Sequence, residues 1–224
     1  VDLRAPLGAT GMLLLDPKFI NVTSSGGGLA GNTGFFENAG GTSNISGAAI
    51  SSALGSAGVT LSATTDISVD DDITGAGSGA LFLQAGRSIT IQNGRTISLA
   101  AGDFTANVND AGATADRDPG VARFTMLSGS SIATSGAVTI THGSLGGVIE
   151  GEVLISGAII TSAATVNITG TSRTASSVIL PDLVRGISAM AIALAGTCRG
   201  EQFSRSLRRI RSVRSLSKLV PRQT

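Results

Sequence analysis

His142 is the single histidine of this 224-residue chain, so a catalytic triad, a proton shuttle or an imidazole metal site would have to be built on it. It stands in Thr139-Ile140-Thr141-His142-Gly143-Ser144, where a strand runs into a turn, and is expected to face solvent. Cys198 is also alone, which excludes a disulfide within the chain; Arg199 beside it favours a thiolate, but no histidine accompanies it. Asp70-Asp71-Asp72 is the strongest metal candidate, because adjacent carboxylates in a turn offer the hard oxygen ligands that calcium takes. Neighbouring residues of an extended chain point to opposite faces, and no glycine-rich calcium repeat surrounds the run, so a solvated turn fits better. Glu150 and Glu152 fall on one face if extended and imitate the paired carboxylates of a glycosidase. Without Trp or Tyr to stack a sugar ring, they read instead as solubilising charges. The glycines at 26–28 and 75–79 lack the lysine of a phosphate loop and read as loops. The residues therefore assign no catalytic group, no metal ligand and no cofactor, and the chain is not expected to be an enzyme.

Composition sets the elements that would carry these residues. Glycine contributes 31 residues and Phe seven, yet 42% of the chain is apolar, 14% is charged and the formal net charge is +1. Disorder needs low hydrophobicity and high net charge, so this chain is expected to fold. Its apolar residues are largely Ile, Val, Leu and Ala, which suit narrow, repetitive strand stacks better than a core built around large aromatics.

Apolar pairs at alternating positions recur along the chain. Val59 and Leu61, Ile67 and Val69, then Ile73, are followed by Leu81 and Leu83, Ile89 and Ile91, then Ile97 and Leu99. Val59 to Leu81 is 22 residues, and so is Ile67 to Ile89. Turn formers separate the pairs: Thr64-Thr65-Asp66, Asp70-Asp71-Asp72, the glycines at 75–79, Ala85-Gly86-Arg87 and Gln92-Asn93-Gly94-Arg95. Hairpins would give the alternation but not the likeness of strands one period apart; a coil gives both. The expected fold is all-β, a parallel β-helix over residues 1–177, with residues 103–121 thrown out as a loop from one coil. Coils resume at Phe124 and Met126, Ile132, Val138 and Ile140, Val153 and Ile155, Ile159, then Val166 and Ile168. Upstream, Met12-Leu13-Leu14-Leu15 and Ile20-Asn21-Val22 read as strands, and residues 45–54 as a short strand or helical turn.

Beyond residue 177 the character changes. Residues 187–195 are apolar, helix-compatible and too few for a membrane span. Residues 199–224 hold eight Arg or Lys against one Glu, a net of +7, which leaves 8 basic and 14 acidic residues, a net of −6, before them. This basic tail, helical or disordered, is expected to lie outside the coil. Its charge would favour anionic lipid or nucleic acid, but no aromatic group is there for base stacking, and nucleic acid is not an expected partner.

The run Met12-Leu13-Leu14-Leu15-Asp16-Pro17 before a strand, and the texture Leu83-Gln84-Ala85-Gly86-Arg87-Ser88-Ile89-Thr90-Ile91, resemble filamentous-haemagglutinin-like exoproteins over residues 10–170. The resemblance implies a right-handed parallel β-helix lying downstream of a secretion domain. It implies export by an outer-membrane transporter in two-partner secretion, a place on the bacterial surface or outside the cell, and a role in adhesion. Partners on this reading are that transporter, neighbouring coils of a longer parent chain, and a receptor or glycan of unknown identity. Two rival classes leave visible marks. A polysaccharide-cleaving enzyme on the same fold predicts Asp, Lys and Arg clustered on stacked coils. An ice-binding surface predicts ranks of Thr at equivalent positions, for which Thr60, Thr90 and Thr96 are too scattered.

Overall fold

The computed structural model describes residues 12–15, 17–28, 41–113, 116–143, 149–171, 178–179 and 189–195. The fold is all-β with parallel pairing throughout, and among the described residues a single short helix interrupts it. The first sheet runs β1 (Met12–Leu15), β4 (Gly58–Ala63), β7 (Leu81–Ala85), β10 (Phe104–Val108), β13 (Val138–His142), β16 (Thr165–Thr171) and β18 (Ala189–Ala195). The second runs from β3 (Thr42–Ile45) through β2 (Phe19–Gly27), β5 (Asp66–Asp70), β8 (Ser88–Ile91), β11 (Val121–Met126) and β14 (Ile149–Ile155) to β17 (Val178–Ile179). The third holds β6 (Ile73–Gly75), β9 (Thr96–Leu99), β12 (Ser131–Thr134) and β15 (Ile159–Ser162). From β4 to β15 the chain visits the three sheets in turn, so each strand pairs with the third strand on; three successive strands are called a tier below.

The spacing in the sequence is the register of the sheets. Val59 pairs with Leu81 and Ile67 with Ile89, the two 22-residue landmarks. The next tier shows where the period breaks: Leu81 pairs with Phe104, 23 residues on, but Ile89 pairs with Phe124, 35 residues on. The 12 extra residues are 109–120, at the corner between the first and second sheets. The loop expected at 103–121 is therefore shorter at its start, because residues 104–108 alternate outward and inward and pair on both sides as β10.

Other boundaries also differ from expectation. Residues 45–54 supply both alternatives: β3 ends at Ile45 and helix α1 (Gly47–Leu54) follows. Residues 189–195 are strand β18 against β16, not helix, and Val178–Ile179 pairs with β14, so both sheets continue past residue 177. Short apolar runs fit either state, and pairing decides between them. Ile159 points outward and is 46% exposed, while Ile160 is the core residue, in register with Ile132. The basic tail at 199–224 lies outside the described residues. No helix among the described residues is long and apolar enough to cross a membrane.

Every second residue of a strand faces the interior, so parallel register stacks like positions into columns. One column holds Val59, Leu81, Phe104, Val138 and Val166; the next holds Leu61, Leu83, Ala106, Ile140 and Ile168, all buried. Where Phe104 enlarges the first column, Ala106 shrinks the second, which conserves the volume of that tier.

Helix α1 packs on β6, the last strand of the third sheet, and covers its edge. Ser51 Oγ accepts from Thr74 N at 2.8 Å, standing in for the missing strand. Two groups cap the helix start: Ser46 Oγ accepts from Ala49 N, and Asp71 Oδ2 accepts from Gly47 N at 2.8 Å.

Candidate functional site

His142 is not a solvent-facing turn residue. It ends β13 on the inward column of Ala63, Ala85 and Val108, and is 1% exposed. Its ring nitrogens lie against two backbone carbonyls, Nε2 at 2.9 Å from Ala122 O and Nδ1 at 2.8 Å from Gly143 O. The alternation Val138, Ile140, His142 carried this placement, and the following Gly-Ser turn concealed it. With both nitrogens against backbone carbonyls and the ring buried, the imidazole braces a corner.

The three aspartates do not converge. Asp70 pairs with Arg95 at 3.0 Å, Asp71 caps α1, and Asp72 Oδ1 accepts from Thr96 N at 2.8 Å. Adjacent side chains diverge at the end of β5: Asp71 turns to the helix, while Asp70 and Asp72 meet the consecutive residues Arg95 and Thr96. Among the described residues, no three His, Cys, Asp or Glu groups gather as metal ligands would. Glu152 lies 3.7 Å from Arg123, while the side chain of Glu150 and all of Cys198 fall outside the described residues.

Among the described residues, a dense polar cluster sits at the corner between the first and second sheets, where residues 109–113 and 116–120 lie against the tiers before them. Arg87 grips Asp66 with two bonds, Nε to Oδ1 at 2.9 Å and Nη2 to Oδ2 at 2.5 Å, and donates a third to Pro119 O at 2.7 Å. The hydrogen bond with Asp66 raises the Arg87 pKa above its ordinary value; burial opposes this, and the charges of Asp66 and Asp118 add to it. Arg117 donates to Gly86 O and to Asn109 Oδ1, and burial lowers its pKa. Asn109, buried at φ 51, donates in turn to Gly143 O, the carbonyl that faces His142. Lys18 Nζ reaches Asp118 at 2.7 Å. Ala113 O lies so close over Gly86 that a Cβ there would stand 1.9 Å from it, so only glycine fits. Beneath this cover Thr64 Oγ1 is buried with no hydrogen-bond partner among the described residues.

No family model, no curated protein and no solved structure matches this chain. The resemblance to filamentous-haemagglutinin-like exoproteins thus stands only on the residues that carry it.

What the arrangement can do chemically follows from the pairing. Asp, Lys and Arg do cluster on stacked tiers, as the polysaccharide-cleaving alternative predicts, but Asp66, Arg87, Lys18 and Asp118 bond to one another. A glycosidase needs an acid and a second carboxylate across a gap that admits the sugar. Thr60, Thr90 and Thr96 fall on three different sheets. Register instead aligns Thr105 with Thr139 and Asn167, Asn107 with Thr141 and Thr169, and Thr90 with Thr125 on outward positions. Those ranks are half-buried and carry no charge.

Proposed function

We propose that the chain is a non-enzymatic, elongated segment of a secreted or surface-attached bacterial adhesin, its three sheets wound as a right-handed parallel β-helix. The observation that carries this reading is the parallel pairing of each strand with the third strand on, held from β1 to β16 in the first sheet. Three sheets visited in rotation need crossover connections of one hand, and parallel crossovers are right-handed in nearly all proteins. Such a rod grows about 4.8 Å per tier and satisfies its backbone along its own axis. Its outward Thr and Asn ranks offer uncharged hydrogen-bonding contacts to a receptor or glycan.

Export and adhesion rest on the sequence resemblance, and on them the partners are an outer-membrane transporter and adjoining coils of a longer chain. Two measurements test the reading. The flanking gene sequence is expected to encode a secretion domain upstream and a transporter nearby; finding neither overturns the export route. Purified chain applied to intact cells and to immobilised glycans is expected to bind in a saturable way. Binding to neither overturns adhesion while leaving the fold untouched.

A further inference from the structure

In a stack of tiers each tier touches its neighbours, so the ends fray one tier at a time. The corner strap breaks that rule. Residues 109–113 and 116–120 belong to the tier of β10, β11 and β12, yet Asp118 pairs with Lys18, beside β2, 100 residues earlier in the chain and three tiers away. On the way, Asp118 N donates to Thr65 Oγ1 between β4 and β5. Pro119 O and Arg117 engage Arg87 and Gly86 between β7 and β8, and Asp110 Oδ1 accepts from Gln84 Nε2 at 2.7 Å. One short segment thus bonds to every preceding tier at the same corner, and Asn109 reaches the following one through Gly143 O.

The geometry points to a clasp: the strap locks the first four tiers into one cooperative unit, so that β2 and β5 open only when the strap lifts. The segment that interrupts the repeat then serves the rod itself and leaves recognition to other surfaces. Its ionic outer ring, Lys18 with Asp118 and Arg87 with Asp66, is part-exposed, so salt weakens it while the buried Asn109 bond holds. This inference rests on side-chain contacts alone and is independent of export or adhesion.

Hydrogen–deuterium exchange of the full chain, followed by mass spectrometry, tests it. Lys18→Asp and Asp118→Lys, each alone, are expected to speed exchange in β2 and β5 about two- to fivefold, the range of a part-exposed ion pair, with β13 unchanged. The double variant Lys18→Asp with Asp118→Lys is expected to restore wild-type exchange. Asp118→Asn provides the same readout should charge reversal prevent folding. Unchanged exchange in β2 and β5, or equal acceleration in every strand, overturns the clasp.

Discussion

Thr134 and Ser162 occupy one position on consecutive strands of the third sheet and make the same two bonds. Each hydroxyl donates to a glycine carbonyl in the tier before it, Gly102 O for Thr134 at 2.5 Å and Gly136 O for Ser162 at 2.7 Å. Each also accepts from the backbone N–H two residues ahead, Gly136 N and Ala164 N. The same position holds Leu99 in β9, so the corner is built either by packing or by a hydroxyl clip. Ser162→Ala is expected to cost about 0.5–1.5 kcal/mol, the net worth of a hydrogen bond, because the groups it leaves, Gly136 O and Ala164 N, are only part-buried. Urea denaturation checks this, and a loss below a few tenths would show that water replaces the clip.

Thr64 predicts the opposite sign. Its buried hydroxyl has no partner among the described residues, and valine has nearly its shape. Thr64→Val is expected to stabilise the protein by about 1 kcal/mol, the desolvation penalty of an unmade bond. A fall in the urea midpoint would reveal a bond that this geometry lacks.

His142→Leu keeps volume in an inward column of Ala63, Ala85 and Val108 but removes both polar contacts. Gly143 O retains Asn109 as a donor, and Ala122 O loses the His142 ring. The expected loss is about 1–3 kcal/mol by chemical denaturation, with unchanged binding in any adhesion assay.

Arg87 carries a raised pKa, first through its hydrogen bond to Asp66. For a base whose folded pKa is raised, the stabilisation is complete below the unfolded value and is lost only as pH climbs through the folded one. An arginine titrates far above neutrality, so moving from about pH 6 to about pH 10 leaves this tie whole. Arg87→Lys keeps the charge and loses the two-pronged grip, and is expected to cost about 1 kcal/mol at every pH in that interval. A cost that appears only on one side of the interval would assign the effect to another group.

Calcium is expected to leave the melting temperature unchanged, since Asp70, Asp71 and Asp72 are each engaged by a separate group, Arg95, Gly47 N and Thr96 N. Asp71→Ala is expected to lose about 0.5–2 kcal/mol through the helix cap it removes, with or without the ion. A calcium-dependent rise in melting temperature that disappears in Asp71→Ala would restore the metal reading.

The sequence by itself determined the strands from β4 to β9, their parallel register and the core columns they start; it missed β10 and β18 and misplaced Ile159. A side chain in a stacked sheet meets its equivalent one period away, so a 22-residue spacing between Val59 and Leu81 is already a contact. His142 obeyed the same alternation, and its inward place was legible there. The tertiary structure alone decided the rest. Residues 109–120 show no periodicity, and their partners Lys18, Thr65, Gly86 and Arg87 are joined to them by proximity at a corner, which no spacing along the chain encodes. The aspartate run looked like one ligand set because adjacency in sequence resembles adjacency in space. At the end of a strand, successive side chains leave in different directions, so Asp71 went to the helix, Asp72 to β9 and Asp70 to Arg95.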